Sequence, residues 1–457
     1  MVLVLLALAW CGYSWVWPQA PLVSGDSGSY MQLGAELKAG HLPRPSQRTP
    51  GYPLLLVLTG SERHPSRILF HVSLALHFCA LIIVVHLVRW LCGPGWAATA
   101  VIVGLLPPYI EPSAYVLSEG LTEFVLIVAL ALLLRWLFSG RLAYAVACGV
   151  AAVAAGFVRP TYVPLAVLLG VGALVCGVVG WTPRARIGAL ARGAALCAII
   201  SIAAFGAWAE LNQLHFRYWG ITTLGPYAMA TKTATFVEDL PDRYAGLREV
   251  LVRHRDRFVT EHFTDHTGQN YIFRAMPEVL ALYGNDERKA LRALEDANLY
   301  LILHKPMSYL IDCLKVLPVY WTPVEGPLIL ALPGPARAIW ALLQMVVVAL
   351  FFVQAIALGG LGLLQISVRL QRQGATVWGS RSLDPQLLSA YAIAMSVVLY
   401  TWLASCFLAI GLPRYRTPTD LLVLFTTLLG LAICREISAT ATRLAVSNSG
   451  LERACAE

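Results

Sequence analysis

Apolar runs long enough to enter or cross a bilayer recur along the whole of this 457-residue chain, divided by short polar turns. A spanning helix needs about 20 mainly apolar residues. On that measure the candidate spans cover residues 1–17, 68–86, 95–110, 115–134, 142–158, 162–181, 191–211, 338–366, 387–412 and 417–434. Only 13% of the residues are charged, against roughly 25% in a soluble globular protein. So few charges cannot cover a water-facing surface, and a lipid bilayer is the expected solvent. The expected fold is an all-α polytopic membrane bundle of about ten helices.

The net charge of +8 raises the question of nucleic acid, but its distribution points elsewhere. With the N-terminus placed in the cytoplasm, the inner turns carry Arg89, then Arg135 and Arg141, then Arg184, Arg186 and Arg192. Arg369, Arg372 and Arg381 follow, and the tail holds Arg435, Arg443 and Arg453. This is the positive-inside pattern of a membrane protein with both termini cytoplasmic, and no nucleic-acid partner is expected. The first run has no basic leader and no small-residue cleavage site, so it reads as a retained helix. The ten cysteines show no metal or disulfide spacing and lie mostly in apolar runs.

The chain divides into residues 1–211, an N-terminal membrane half with a long first outer loop at 18–67, and 212–337, an extracytoplasmic region. Residues 338–434 hold the C-terminal spans, and 435–457 a cytoplasmic tail. Region 212–337 contains about half of the acidic residues, and helical periodicity at 246–260 and 286–303 predicts a small helical subdomain. Asn285 is the expected N-cap of the second of these helices.

Asp26 follows the first run in Ser24-Gly25-Asp26-Ser27-Gly28-Ser29-Tyr30, at the expected start of a short helix. Asp26 and Tyr30 share a face of that helix, and Tyr30, Leu33 and Leu37 make a stripe that suits a membrane surface. Asp26 either caps the helix or serves a site. Cations also stand at outer turns, against the positive-inside rule: Arg48, Arg159, Arg414 and Arg416, each beside proline and an aromatic residue. Three such turns presenting arginine to one side suit a phosphate, which guanidinium binds bidentately. Glu119 and Glu123 lie within an expected span, with Glu111 in the turn before it, and such buried acids are functional by default. They either pair with the outer arginines or meet a substrate hydroxyl. His262 and His266 have a zinc-like spacing but no third ligand, and His254-Arg255-Asp256 lacks the surroundings of a kinase loop.

Taken in order, Asp26-x-x-x-Tyr30, Arg48-x-Pro50-x-Tyr52-Pro53, Ser118-Glu119, Arg159-Pro160-Thr161 and Arg414-Tyr415 followed by Pro418 form a set. With them the chain resembles the GT-C fold membrane glycosyltransferases of the protein O-mannosyltransferase and aminoarabinose transferase kind, over essentially its full length. The resemblance implies a bacterial inner-membrane enzyme with an extracytoplasmic site, a polyprenyl-phosphate-linked sugar donor and a hydroxyl acceptor on a glycan, lipid or protein. It implies Asp26 as catalytic base and Arg48, Arg159, Arg414 and Arg416 as donor-phosphate ligands. Tyr30, Tyr52, Glu119, Tyr162 and Tyr415 become candidate substrate contacts. Ser27 stands where the family often has a second acid, so no metal and no other cofactor is expected. A transporter or flippase of a lipid-linked or anionic solute is the competing class, but it calls for repeated halves and a polar relay across the bilayer, and neither is visible.

Overall fold

The computed structural model describes all residues except 1, 18, 180, 183–185, 262–269, 325, 372–383 and 455–457, and leaves out the side chains of 361–371 and 440–454. The expectations for Arg184, His262, His266, Arg372 and Arg381 lie outside the described residues. The described chain is 81% helix, without strands. A single parallel bridge between Leu22 and Tyr115 ties the first loop to the bundle.

The helices run in order as α1 (Val2–Val16), α2 (Ser27–Lys38), α3 (Gly51–Leu58), α4 (Arg67–Cys92), α5 (Pro94–Gly104), α6 (Pro107–Ile110), α7 (Glu119–Ser139), α8 (Leu142–Val158), α9 (Leu165–Val178) and α10 (Ile187–Phe216). There follow α11 (Leu224–Thr233), α12 (Ala245–Glu261), α13 (Ile272–Leu282), α14 (Glu287–His304), α15 (Pro306–Val316), α16 (Pro327–Leu330), α17 (Gly334–Gln371), α18 (Pro385–Leu408) and α19 (Asp420–Ala454). Among the described residues, seven helical stretches are long and apolar enough to cross a membrane. The protein is therefore a helical, multi-pass membrane protein. α1, α5 and α8 are apolar but shorter. The run expected at 95–110 breaks at Gly104, because Pro107 and Pro108 cannot continue the hydrogen-bond ladder of the preceding turn.

Local chemistry sets the helix ends. Ser66 caps α4, its hydroxyl accepting from the Leu69 N–H at 3.3 Å. Gly140 ends α7 in the left-handed region at φ +70°. Pro160 stops α8 and holds Arg159 extended, with φ −145° and ψ 115°. Small residues then let the helices approach. A Cβ on Gly193 of α10 would come within 2.2 Å of the Trp136 ring of α7, and one on Gly149 of α8 within 3.3 Å of Cys197. The main core runs through α4, α5, α7, α8, α9, α18 and α19.

A second core gathers Phe236, Leu251, Tyr271, Val279, Leu294 and Leu301 from α11 to α14. This lobe attaches to the bundle at named points. Thr222 Oγ1 donates to the Ser46 carbonyl at 2.7 Å, Tyr309 OH to the Phe407 carbonyl at 2.5 Å and Trp402 Nε1 to the Leu317 carbonyl at 3.1 Å. Asp286, not Asn285, caps α14, accepting from the Arg288 and Lys289 N–H groups. Asn285 instead takes φ +60°, a conformation asparagine tolerates, and turns the chain into the cap. The expected membrane-surface stripe of α2 is covered as well. Tyr30 and Leu33 are buried, Leu37 is half-buried, and α2 packs on α3.

Candidate active site

The connection between α1 and α4, the junctions before α7 and α9, and the turn between α18 and α19 meet at one end of the bundle. Several helix ends rich in arginine meet at the other, where Arg186 donates to the Phe138 carbonyl and Arg135 lies 5.9 Å from the Trp90 ring. Alternating helix direction alone sorts these residues into two sets.

At the first end, Asp26 occupies the N-cap position of α2, but its side chain makes no cap hydrogen bond. Its carboxylate serves two other groups. Oδ1 accepts from Arg48 Nη2 at 2.5 Å, and Oδ2 accepts from Arg414 Nη2. Burial pushes the Asp26 carboxyl up, but Arg414 and Arg48 outweigh it and hold the group below its ordinary range. Arg48 Nε also donates to Ser29 Oγ at 3.0 Å, and its guanidinium lies 4.8 Å from the centre of the Tyr30 ring. In place of a cap hydrogen bond, Asp26 thus anchors two guanidiniums from distant parts of the chain.

Arg159 approaches from the end of α8, its Nη1 3.2 Å from Glu119 Oε1. Tyr415 lies between the two remaining arginines, 5.3 Å from Arg159 and 5.4 Å from Arg414. The Tyr162 hydroxyl accepts from Thr401 Oγ1 of α18 at 3.3 Å. These groups border a cavity of about 690 Å³ under the helical lobe, lined among others by Asp26, Tyr30, Arg48, Arg159, Tyr162, Lys232, Arg414 and Tyr415. Among the described residues, four cations and a single carboxylate contribute to its lining. Part of its wall is apolar and runs along the end of α18 and the turn after it, through Ala404, Phe407, Leu408, Ile410 and Leu412, while Gln47, Thr222, Asn270 and Thr401 add polar groups elsewhere. Leu408 of that wall is exposed.

Not every expected residue reaches the cavity. Arg416 points away from it and is nearly fully buried. It donates to Asp420 Oδ1 at 2.8 Å and to the Tyr320 and Thr322 carbonyls, both at 3.2 Å. The one-residue offset from Tyr415 turns Arg416 inward, where it ties the turn before α19 to the end of α15. Tyr52 is buried behind the wall, its ring edge-on to Tyr30 at 5.0 Å. Glu119 borders a second cavity of about 170 Å³, together with Glu111 and Arg414. Arg414 thus stands between the two spaces. Glu123 does not pair with an arginine; it bonds His77 Nδ1 of α4 at 2.7 Å. Glu111 accepts from the Leu328 and Ile329 N–H groups, each at 3.1 Å, so its part is to hold α16.

Lys232 is the lining residue that sequence reasoning missed. It sits in Thr231-Lys232-Thr233, inside a long polar region, and has no neighbouring motif to mark it. Among the described residues no group of three His, Cys, Asp or Glu could hold a metal ion. The chain matches no protein-family model and no curated protein at a significant level.

Proposed function

We propose that the protein is an inverting glycosyltransferase that moves a sugar from a polyprenyl-phosphate donor to a hydroxyl acceptor on the extracytoplasmic face of a bacterial inner membrane. The observation carrying this reading is the Asp26 carboxylate held between Arg48 and Arg414, in a cavity with an apolar stretch of wall along the end of α18. A carboxylate that can take a proton, cations that can take a phosphate and an apolar wall that can take a lipid chain are the parts such a transfer needs. The basic turns at the opposite end support the orientation, with both termini cytoplasmic and about ten passes when α1, α5 and α8 are counted with the longer helices.

In this mechanism the acceptor oxygen attacks the anomeric carbon while the bond from that carbon to the phosphate oxygen breaks. Asp26 receives the hydroxyl proton, and the electron pair of the broken bond leaves on the lipid phosphate. One displacement inverts the anomeric centre. Arginines stay protonated throughout and can neutralise the growing phosphate charge without a metal. Without donor, Asp26 itself neutralises two of them, which makes it a weak base. A phosphate that draws Arg48 or Arg414 toward itself removes that stabilisation, so donor binding raises the basicity of Asp26. The donor should therefore bind before the acceptor.

The test is the full-length protein in lipid nanodiscs with a polyprenyl-phosphate sugar and candidate acceptors, followed by mass spectrometry. Wild type should release polyprenyl phosphate and form an inverted product, and Asp26→Asn should not. Equal transfer by Asp26→Asn rules out Asp26 as the base.

A further inference from the structure

The cations around the cavity differ in how far their charge is already used. Arg48 and Arg414 share the Asp26 carboxylate, and Arg159 lies beside Glu119. Lys232 has no such partner. It is 1% exposed, its Nζ makes no hydrogen bond, and no ion pair joins it to any carboxylate among the described residues. It reaches the cavity from α11, where α11 meets α15 and α18. Asp312 of α15 acts on it electrostatically without direct contact, and accepts from Thr235 Oγ1 at 3.3 Å. Burial pushes the amine below its ordinary value, and Cys313 and Asp312 offset only part of that. A buried ammonium that no counter-ion touches directly is costly, and so is a buried amine without a hydrogen-bond acceptor. Either form gains most from an anion entering the cavity.

The surroundings narrow which anion. Lys232 shares its cavity wall with Ala228, Met229, Phe407 and Leu408, a lining suited to hydrocarbon. Leu299 of α14 borders the same space, and both it and Leu408 are exposed. An amphiphile whose anionic head meets an ammonium and whose chain leaves between α14 and α18 would satisfy both features.

Resting on the glycosyltransferase reading, we propose that Lys232 is a phosphoryl ligand of the lipid donor: its ammonium receives a phosphate oxygen on the apolar side of the cavity, while Asp26 keeps its arginines until that phosphate arrives. The ligand class is an isoprenoid monophosphate, and Lys232 sets the preference for its charged head over a neutral lipid.

The test measures binding of polyprenyl monophosphate, neutral polyprenol and inorganic phosphate to full-length wild type, Lys232→Met and Lys232→Arg in nanodiscs. Lys232→Met should weaken polyprenyl monophosphate by about tenfold or more, the scale of one charge-assisted bond. It should leave polyprenol unchanged and weaken competition by inorganic phosphate to a similar degree, and Lys232→Arg should restore most of the affinity. Without ligand, the unfolding midpoint of Lys232→Met should equal or exceed that of wild type, since an unpaired amine gives way to a thioether of similar shape. Polyprenyl monophosphate binding equal in wild type and Lys232→Met overturns the lysine's role and leaves the proposed activity standing. A wild type that binds polyprenol as tightly as its phosphate overturns both.

Discussion

Replacing Asp26 with asparagine should change chemistry and donor binding in opposite directions. The substitution keeps the side chain's shape but leaves one carbonyl oxygen where two carboxylate oxygens accepted from Arg48 and Arg414. At least one guanidinium then loses its partner. A hydrogen bond between charged groups contributes about 1.5–3 kcal/mol. Asp26 and Arg414 are 27% and 32% exposed in their side chains, so solvent screening brings this down to about 1–1.5 kcal/mol. That energy no longer opposes a phosphate that competes for the same arginine. Donor affinity should rise about 5- to 12-fold, while the transfer rate falls by about 10²–10⁴, the usual worth of a general base. Titration of polyprenyl monophosphate into nanodisc-embedded wild type and Asp26→Asn measures the first quantity. Single-turnover transfer measures the second. Donor affinity that is unchanged or weaker in Asp26→Asn refutes the idea that Asp26 and the phosphate share these arginines.

Other outcomes follow from the same geometry. Arg416→Met should cost about 3–5 kcal/mol of stability, because Asp420 and two carbonyls lose a buried partner; a thermal unfolding scan shows this, and the donor affinity of the folded protein should stay near wild type. Gly51→Ala places a Cβ 2.6 Å from the Phe157 carbonyl oxygen, against backbone two residues before Arg159. It should cost about 1–3 kcal/mol and weaken donor binding, since α3 must move away from the end of α8. For pH, loss of activity on acidification should follow protonation of Asp26. In kcat/KM, which reports the free enzyme, this limb should lie below the ordinary carboxylate range; in kcat it should move upward, because bound phosphate has drawn an arginine away. The same depressed value contributes stability above the unfolded-state pKa, and that stability is lost as pH falls through the folded one.

The parts of this arrangement visible in the sequence are those that break a rule of membrane composition. Arg48, Arg159 and Arg414 stand out as cations at the turns where few are expected, and they converge on one cavity with Asp26, Tyr30, Tyr162 and Tyr415. Arg416 breaks the same rule for a different reason. Its side chain satisfies the Tyr320 and Thr322 carbonyls in the turn that follows α15, a packing need that sequence position does not reveal. Glu123 shows a similar limit, because its partner His77 lies on a helix distant in the sequence. The short α5 could not be separated from a full span by hydropathy alone, since the apolar residues continue past the break at Gly104. Lys232 was invisible for the opposite reason. A lysine in a polar segment is ordinary, and only the docking of the lobe onto α18 makes it a buried cation.

The most direct measurement is the position of the lipid phosphorus in a structure of the nanodisc-embedded protein with polyprenyl monophosphate bound. The account predicts phosphate oxygens within hydrogen-bond distance of Lys232 and of at least one of Arg48, Arg159 and Arg414, with the isoprenoid leaving past Leu408. Phosphate bound instead at the opposite end, among Arg135, Arg141 and Arg186, would contradict it.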